Sequence, residues 1–415
     1  DITNPADFSV ANAASIVKFD TTDSSDADLG HLYAPPVVDD ARPEKSNQIV
    51  KMNNGRWAVV MGNGYNSANE KPVLLIQYVD GDKALVKLTP CPTTCSTDYS
   101  GDGNGLSAPR LMDVNGDGKI DVAYAGDLKG NLWKFDLTSG AGAWAVAFVS
   151  QPFFVAKNPS GVRQPIMTAP YAMMHPSGGV MLAVGTGRNV TTTDPASVGT
   201  DTVWGIWDDS VIVQTASTVT ITNSTTGVIN SAAGTTRPTS LVQQTNSATP
   251  YTDSDGKLFY DVSRNTVLYS GTTPKRGWYM DWPIGGLRTL HNPSLFSGER
   301  ILVQSTIPQS GSGMTGETCN PTALPEKTFI SVFNIFTGNP SKSQVFVPAS
   351  ASIPVTNLGL AQVDPGDFTR LDGDGVIKLR STAGSGGGSG AGSSTPFTVL
   401  DAQGLGIRSN WREYQ

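Results

Sequence analysis

One short grammar recurs along the chain. A hydrophobic run carrying aromatics closes on Asp or Asn and is followed by a turn. It reads SIVKFDTTD at Asp20, LLIQYVDGD at Asp80, GNLWKFDLTSG at Asp136 and TVWGIWDDS at Asp208. It returns as RGWYMDWPIGG at Asp281, FISVFNIFTGN at Asn334 and PFTVLDAQGLG at Asp401. Successive marks lie between 53 residues (Asp281 to Asn334) and 73 residues (Asp208 to Asp281) apart. A four-stranded antiparallel blade with long loops fills such a length, and self-similarity at a bounded period is the sequence signature of a repeat architecture. Seven units account for the 415 residues. The expectation is an all-β chain, residues 1–415 forming a single β-propeller domain of seven blades.

Composition agrees with strands and turns rather than helices. The chain has 45 Gly and 27 Pro but only 16% charged residues, and stretches of helical periodicity are hard to find. A formal net charge of -7 leaves no basic stripe to neutralise phosphates, which argues against a nucleic-acid partner. No apolar run approaches the roughly 18 residues of a membrane-spanning helix, so no transmembrane segment is expected. The chain opens on Asp1 without Met, which reads as a fragment or processed form with any export signal upstream. Cys91 and Cys95 stand four apart in CPTTCS, with no further Cys or His close enough to complete a zinc site. They are expected to form a small-loop disulfide, which implies an oxidising compartment. Cys319 is then left either to pair outside the fragment or to remain free. The Thr/Ser/Asn-rich stretch 210–250 reads as an extended insertion or edge strands, and the Gly/Ser run 381–394 as a flexible surface loop.

The densest chemistry lies in LMDVNGDGKIDVAYAGDLKGNLWKFDL, residues 111–137. Asp113, Asn115, Asp117 and Asp121 occupy positions 1, 3, 5 and 9 of a loop, with Gly118 at position 6 for the sharp turn. The backbone carbonyl of Lys119 falls at position 7. Hard cations such as Ca²⁺ take six to eight oxygens, and alternating carboxylates and amides supply them in this order. Oxygen-only, protein-derived ligands favour Ca²⁺ over Mg²⁺. Position 12 departs from the EF-hand pattern, because Tyr124 stands where a bidentate Glu belongs, and IDVAYAGD reads as a strand. The loop is therefore EF-hand-like and set between strands. Three carboxylates this close repel one another when bare, so the cation is expected to order the loop. Weaker relatives at Asp98–Ser100–Asp102, at YTDSDGKLF and at TRLDGDGVI lack a ligand at an essential position and read as turns.

Catalytic signals are missing. His31, His175 and His291 are scattered and have no acidic or cysteine companions in sequence. There is no nucleophile elbow and no phosphate loop ending in Lys-Ser/Thr. A non-enzymatic role is expected. The alternative on the same scaffold is a quinone-dependent dehydrogenase, which would need an adjacent Cys-Cys ring. An integrin-like propeller would need several complete calcium loops.

Three ordered segments carry a family resemblance: GRWAVVMGNGYNS (55–67), GLSAPRLMDVNGDGKIDVAYAGDLKGNLWKFDL (105–137) and QPIMTAPYAMMHPSGGVMLAVGTGR (164–188). GERILVQSTIP, a Cys-containing segment ending in FNIFTG, and IRSNWREYQ follow in order. Together they resemble the C-terminal domain of the PilY/PilC family of type IV pilus biogenesis factors and tip-associated adhesins. The resemblance covers most of the chain and is weakest at 210–270. It implies a modified, quinoprotein-like seven-bladed propeller with one Ca²⁺ loop, held by Asp113, Asn115, Asp117, the Lys119 carbonyl and Asp121. It implies a role in pilus extension against retraction, twitching motility and surface adhesion, regulated by Ca²⁺. Implied partners are the major or minor pilins and assembly components. A host-surface receptor would engage an N-terminal adhesive region that is absent here. The implied location is exported, at the cell surface or pilus tip, in association with the outer membrane.

Overall fold

The computed structural model describes residues 4–17, 25–32, 37–38, 46–91, 95–148, 151–215, 218–223, 229, 237–309, 326–342, 345–346, 348–350, 352–354, 356–363, 367–371 and 378–382. Among them the chain is all-β. Helical turns are confined to Pro5–Asp7, Val10–Asn12, Ala13–Ile16 and Asp194–Ala196. The marks at Asp20 and Asp401, Cys319, and all but the first two residues of the 381–394 run lie outside the described residues. No helix among the described residues is long and apolar enough to cross a membrane.

The chain divides into two compact units. The first comprises Asp1–Ala156, Pro165–Ala169 and Ser210–Gly234. Its strands are Ile49–Met52 (β1), Trp57–Gly62 (β2), Leu74–Tyr78 (β3), Leu85–Leu88 (β4), Arg110–Met112 (β5), Lys119–Ile120 (β6), Val122–Gly126 (β7), Asn131–Asp136 (β8), Ala145–Val146 (β9) and Phe154–Val155 (β10). They build one sheet in the order β4-β3-β2-β1-β6 and another in the order β10-β8-β7-β5, with β9 on β8. Leu74–Tyr78 and Val122–Gly126 are buried at every residue, whereas the outer strand Leu85–Leu88 is half-buried throughout. Near-continuous apolar runs mark strands covered on both faces, and their flanking strands can afford polar positions. Trp133, Phe135, Leu106 and Ile76 close the core between these runs without exposed surface.

The second unit comprises Lys157–Gln164, Pro170–Asp209 and Thr235–Gln415. In chain order after β10 come Tyr171–Met174 (β11), Val180–Gly185 (β12), Thr202–Asp208 (β13), the hairpin Val211–Gln214 (β14) and Val219–Thr222 (β15) that belongs to the first unit, and Val242–Gln244 (β16). Then follow Tyr251–Thr252 (β17), Leu258–Asp261 (β18), Gly277–Asp281 (β19), Ser294–Ser297 (β20), Arg300–Ile307 (β21), Lys327–Asn334 (β22), Leu358–Val363 (β23), Asp367–Leu371 (β24) and Lys378–Thr382 (β25). One sheet runs β11-β12-β13-β19-β16, and another runs β17-β18-β23-β22-β21-β20. β24 and β25 pair as a hairpin.

The repeated grammar does not count sheets one by one. Thr202–Asp208 and Gly277–Asp281, each holding one mark, lie side by side and antiparallel, with Trp204 opposite Tyr279. The physical reason is burial. A largely buried inner strand selects the same aromatic and β-branched residues wherever it lies, so two neighbours in one sheet carry the same signature. The described residues of the 210–250 stretch include the hairpin β14–β15 and β16, which adds in parallel to β19.

Candidate metal centre

The loop at 113–121 joins two sheets of the first unit. Its entry, Arg110–Met112, pairs antiparallel with Val122–Gly126 in the second sheet. Its exit, Lys119–Ile120, pairs in parallel with β1 of the first sheet, Lys51 opposite Lys119 and Met52 opposite Ile120. The chain then returns to the second sheet. The loop thus leaves one sheet at β5, lends the two residues of β6 to the other, and returns at β7 to the sheet it left.

The loop is coiled by its own oxygens. Both Asp113 carboxylate oxygens accept backbone N–H groups, Oδ1 from Gly116 at 2.7 Å and Asp117 at 3.2 Å, Oδ2 from Gly118 at 2.7 Å. Asn115 Oδ1 accepts from Asp117 N at 3.0 Å, and Asp117 Oδ1 from Lys119 N at 2.9 Å. Gly118 has φ +82 with open space where a Cβ would stand, so glycine serves the left-handed backbone there and not a close approach. Asp121 faces inward and is 1% exposed. Its Oδ2 accepts from Val114 N at 2.9 Å and its Oδ1 from Asn53 Nδ2 at 3.0 Å. Asn53 also donates to the carbonyls of Ile120 and Leu137, locking the β1–β2 turn onto the loop exit.

The charges of the loop feel one another. Burial, and then the charges of Asp113 and Asp117, push the Asp121 carboxyl above its ordinary range against the bonds from Asn53 and Val114. At Asp117 burial acts in the same direction but is outweighed by the Lys119 side chain and backbone N–H, which hold the carboxyl below its ordinary range. The Lys119 ammonium lies 2.8 Å from Asp117 Oδ2 and stands in as the loop's own cation. The donors are hard oxygens in the order a calcium loop uses, so their chemistry fits such an ion. As placed, Asp121 is engaged with Asn53 and Val114, and among the described residues no three Asp, Glu, His or Cys side chains are grouped to hold a metal.

The weaker acidic turns have protein partners. Asp102 pairs with Lys129 at 2.8 Å. Asp253 Oδ1 accepts from Asp255 N and Lys257 N, and its Oδ2 accepts from Ala349 N, which makes it a turn brace. The third, beginning in β24, continues outside the described residues. Cys91 and Cys95 are disulfide-bonded with Cα atoms 4.9 Å apart, a four-residue separation unlike an adjacent Cys-Cys ring. His31 packs its ring 5.5 Å from that of Tyr65. His175 is boxed by Trp207, Tyr269 and Phe336 at 4.6, 4.4 and 5.2 Å between ring centres, and burial lowers its pKa. A ring so enclosed packs; it does not shuttle protons with solvent.

Two residues that the sequence reading passed over organise this region. Asn53 is one. The other is Asp127, fully buried in the turn between β7 and β8. Its Oδ1 accepts from Lys129 N and Asn131 N, both at 2.9 Å. Its Oδ2 accepts from Asn131 Nδ2 at 2.8 Å, Trp133 Nε1 at 2.9 Å and Asn104 Nδ2 at 3.3 Å. The readable signal was Asp at the first and Gly130 at the fourth place of a turn, in GDLKGN.

Comparison with known proteins finds the chain similar to type IV pilus biogenesis factors. The family described as PilY1 beta-propeller domain matches residues 42–246. The type IV pilus biogenesis factor PilY1 of Pseudomonas aeruginosa strain PAO1 is 30% identical over 334 residues, covering 74% of this chain and 26% of that protein. A PilY1 homolog of Xylella fastidiosa is 28% identical over 366 residues, covering 85% of this chain and 22% of that protein. The chain thus spans about a quarter of the length of the curated relatives it matches. The crystal structure of the Pseudomonas aeruginosa PilY1 C-terminal domain superposes with a TM-score of 0.63 at 27% identity, covering 90% of this chain and 73% of that one.

Proposed function

The chain belongs to the family of PilY1 C-terminal β-propeller domains, and from that premise we propose that it serves type IV pilus biogenesis as a calcium-responsive, non-enzymatic module. In this reading the chain is one modified β-propeller domain. The module acts at the cell surface or pilus tip, associated with the outer membrane, alongside pilins and assembly components. It supports extension against retraction, and with it twitching motility and adhesion. The disulfide at Cys91–Cys95 suits an exported protein.

The observation that carries the calcium reading is the loop joining two sheets, its oxygens already curled by its own N–H groups. Asp113, Asn115, Asp117 and the Lys119 carbonyl would hold the ion, with Asp121 completing the set directly or through water. Calcium supplies the positive charge that the three carboxylates lack. Ordering this loop fixes β6 on one sheet relative to β5 and β7 on the other, and so biases one arrangement of the first unit.

Calcium titration by calorimetry on the purified chain, beside Asp113→Ala, tests the reading. One-site binding that disappears in the variant, with unchanged circular dichroism, supports it. Absence of binding to the parent chain refutes it. Lys119→Met gives a second, finer check. Its ammonium competes with a cation for Asp117, and exposed ion pairs contribute only modestly, so calcium should bind about three- to fivefold more tightly. Weaker binding in that variant would show that the Lys119 ammonium helps shape the loop rather than competes for it.

A further inference from the structure

The peptide of Val114 is held at both ends. Its N–H donates to Asp121 Oδ2 at 2.9 Å. Its carbonyl accepts from Gln214 Nε2, at 2.5 Å, across 100 residues of sequence. Val114 is itself a position of the acidic loop, buried between two half-buried ligand positions, Asp113 and Asn115. Gln214 ends β14, so the hairpin Val211–Thr222 is bonded directly to the backbone of the loop. The hairpin base is anchored separately. Ser210 Oγ and Asn223 Oδ1 both accept from Lys134 Nζ, at 2.7 and 2.9 Å, and Asn223 Nδ2 donates to the carbonyl of Ala147. The base therefore stands on β8, whereas the far end of β14 is bonded to the loop through Gln214.

The outer face of this hairpin is exposed. Val211 and Val213 are 60% and 54% exposed and lie opposite Thr222 and Thr220, while Val219 on the other face is buried. No charged residue occurs from Ser210 to Thr236. Exposed strands ordinarily carry charges that keep other chains away, and this one carries none.

We infer that the hairpin 211–222 is the element through which the loop's occupancy is read. The inference rests on the calcium reading above and assigns its regulation. Ligand positions flank Val114 on both sides, and Asp121 either keeps its bond to Val114 N–H or turns toward the ion. In both cases binding fixes the orientation of the Val114 peptide, and the Gln214 bond passes that restraint to β14. A single hydrogen bond carries the link, so its net worth of about 1 kcal/mol limits the coupling to about fivefold.

Hydrogen exchange followed by mass spectrometry, with and without calcium, tests this on the whole chain. Peptides covering 211–222 should exchange about fivefold more slowly with calcium bound, in addition to protection within 113–121. Gln214→Met keeps the side-chain length and removes the donor. In that variant calorimetric calcium binding should stay within about fivefold of the parent and protection in 113–121 should persist, while the change in 211–222 disappears. Binding with no change in the parent hairpin, or a change that survives Gln214→Met, overturns the coupling. A parent chain that binds no calcium in the calorimeter overturns the calcium reading itself, and the coupling falls with it.

Discussion

Asp127→Ala is expected to lower the unfolding free energy of the first unit by about 3 kcal/mol, because it leaves several buried donors without an acceptor and each such group costs about 1–3 kcal/mol. For a unit of this size each kcal/mol moves the thermal midpoint by about 2–4 °C, so a fall on the order of 10 °C should be seen by circular dichroism. The carboxylate is fully buried and satisfies five donors. Alanine leaves Trp133 Nε1 and the Asn131 amide without their acceptor inside the core, where an unmade bond costs more than a made one gains. It also releases the 98–104 segment, which Asn104 and Asn131 tie to this turn. Asp127→Asn should be milder but still harmful, because both oxygens accept and an amide supplies only one acceptor. Asp113→Ala, on the exposed side of the same region, should leave the calcium-free midpoint nearly unchanged. An alanine cost at position 127 below about 1 kcal/mol would mean that the network is not what holds this turn.

These two aspartates also show what a sequence exposes and what it hides. Asp113 is legible because its ligand companions sit within nine residues at fixed intervals, and local spacing is a property of sequence. Asp127 gives only a turn signal, and its worth comes from Asn104 and Trp133, which folding brings to it. The bridging role of the loop was hidden for a related reason. It depends on a two-residue parallel pairing of β6 with β1 and on Asn53, which reaches Asp121 across 68 residues. The all-β class was legible because strands alternate or run apolar at the five marks from Asp80 to Asn334. Counting blades was not, since Trp204 and Tyr279 sit in adjoining strands of one sheet and read as two repeats. His175 likewise looked isolated in sequence, yet three aromatic residues from separate segments enclose it.

A pH dependence with a definite sign follows from Asp201 in the second unit. Its Oδ1 accepts from Thr186 Oγ1 at 2.9 Å. Burial pushes its carboxyl up to about 6, against that bond and the more distant charge of Arg288. Arg288 gives it little direct relief, because the guanidinium is spent on the carbonyls of Gly286, Arg188, Asp194 and Ser197. An acid whose folded pKa is raised binds more protons folded than unfolded, so ionisation works against the fold. Below the model-peptide value of 3.8 both states are protonated and there is no penalty. Between there and about 6 the penalty grows, and above that range it is complete. Part of the residue still meets water, which brings the penalty to on the order of 2 kcal/mol. Asp201→Asn keeps the acceptor for Thr186 and cannot ionise. Its stability relative to the parent, from urea unfolding at a series of pH values, should be near zero at pH 4 and rise to about 2 kcal/mol in favour of the variant at pH 7. A difference that stays flat across that window would place the Asp201 charge in a solvated setting and remove burial as the source of its shift.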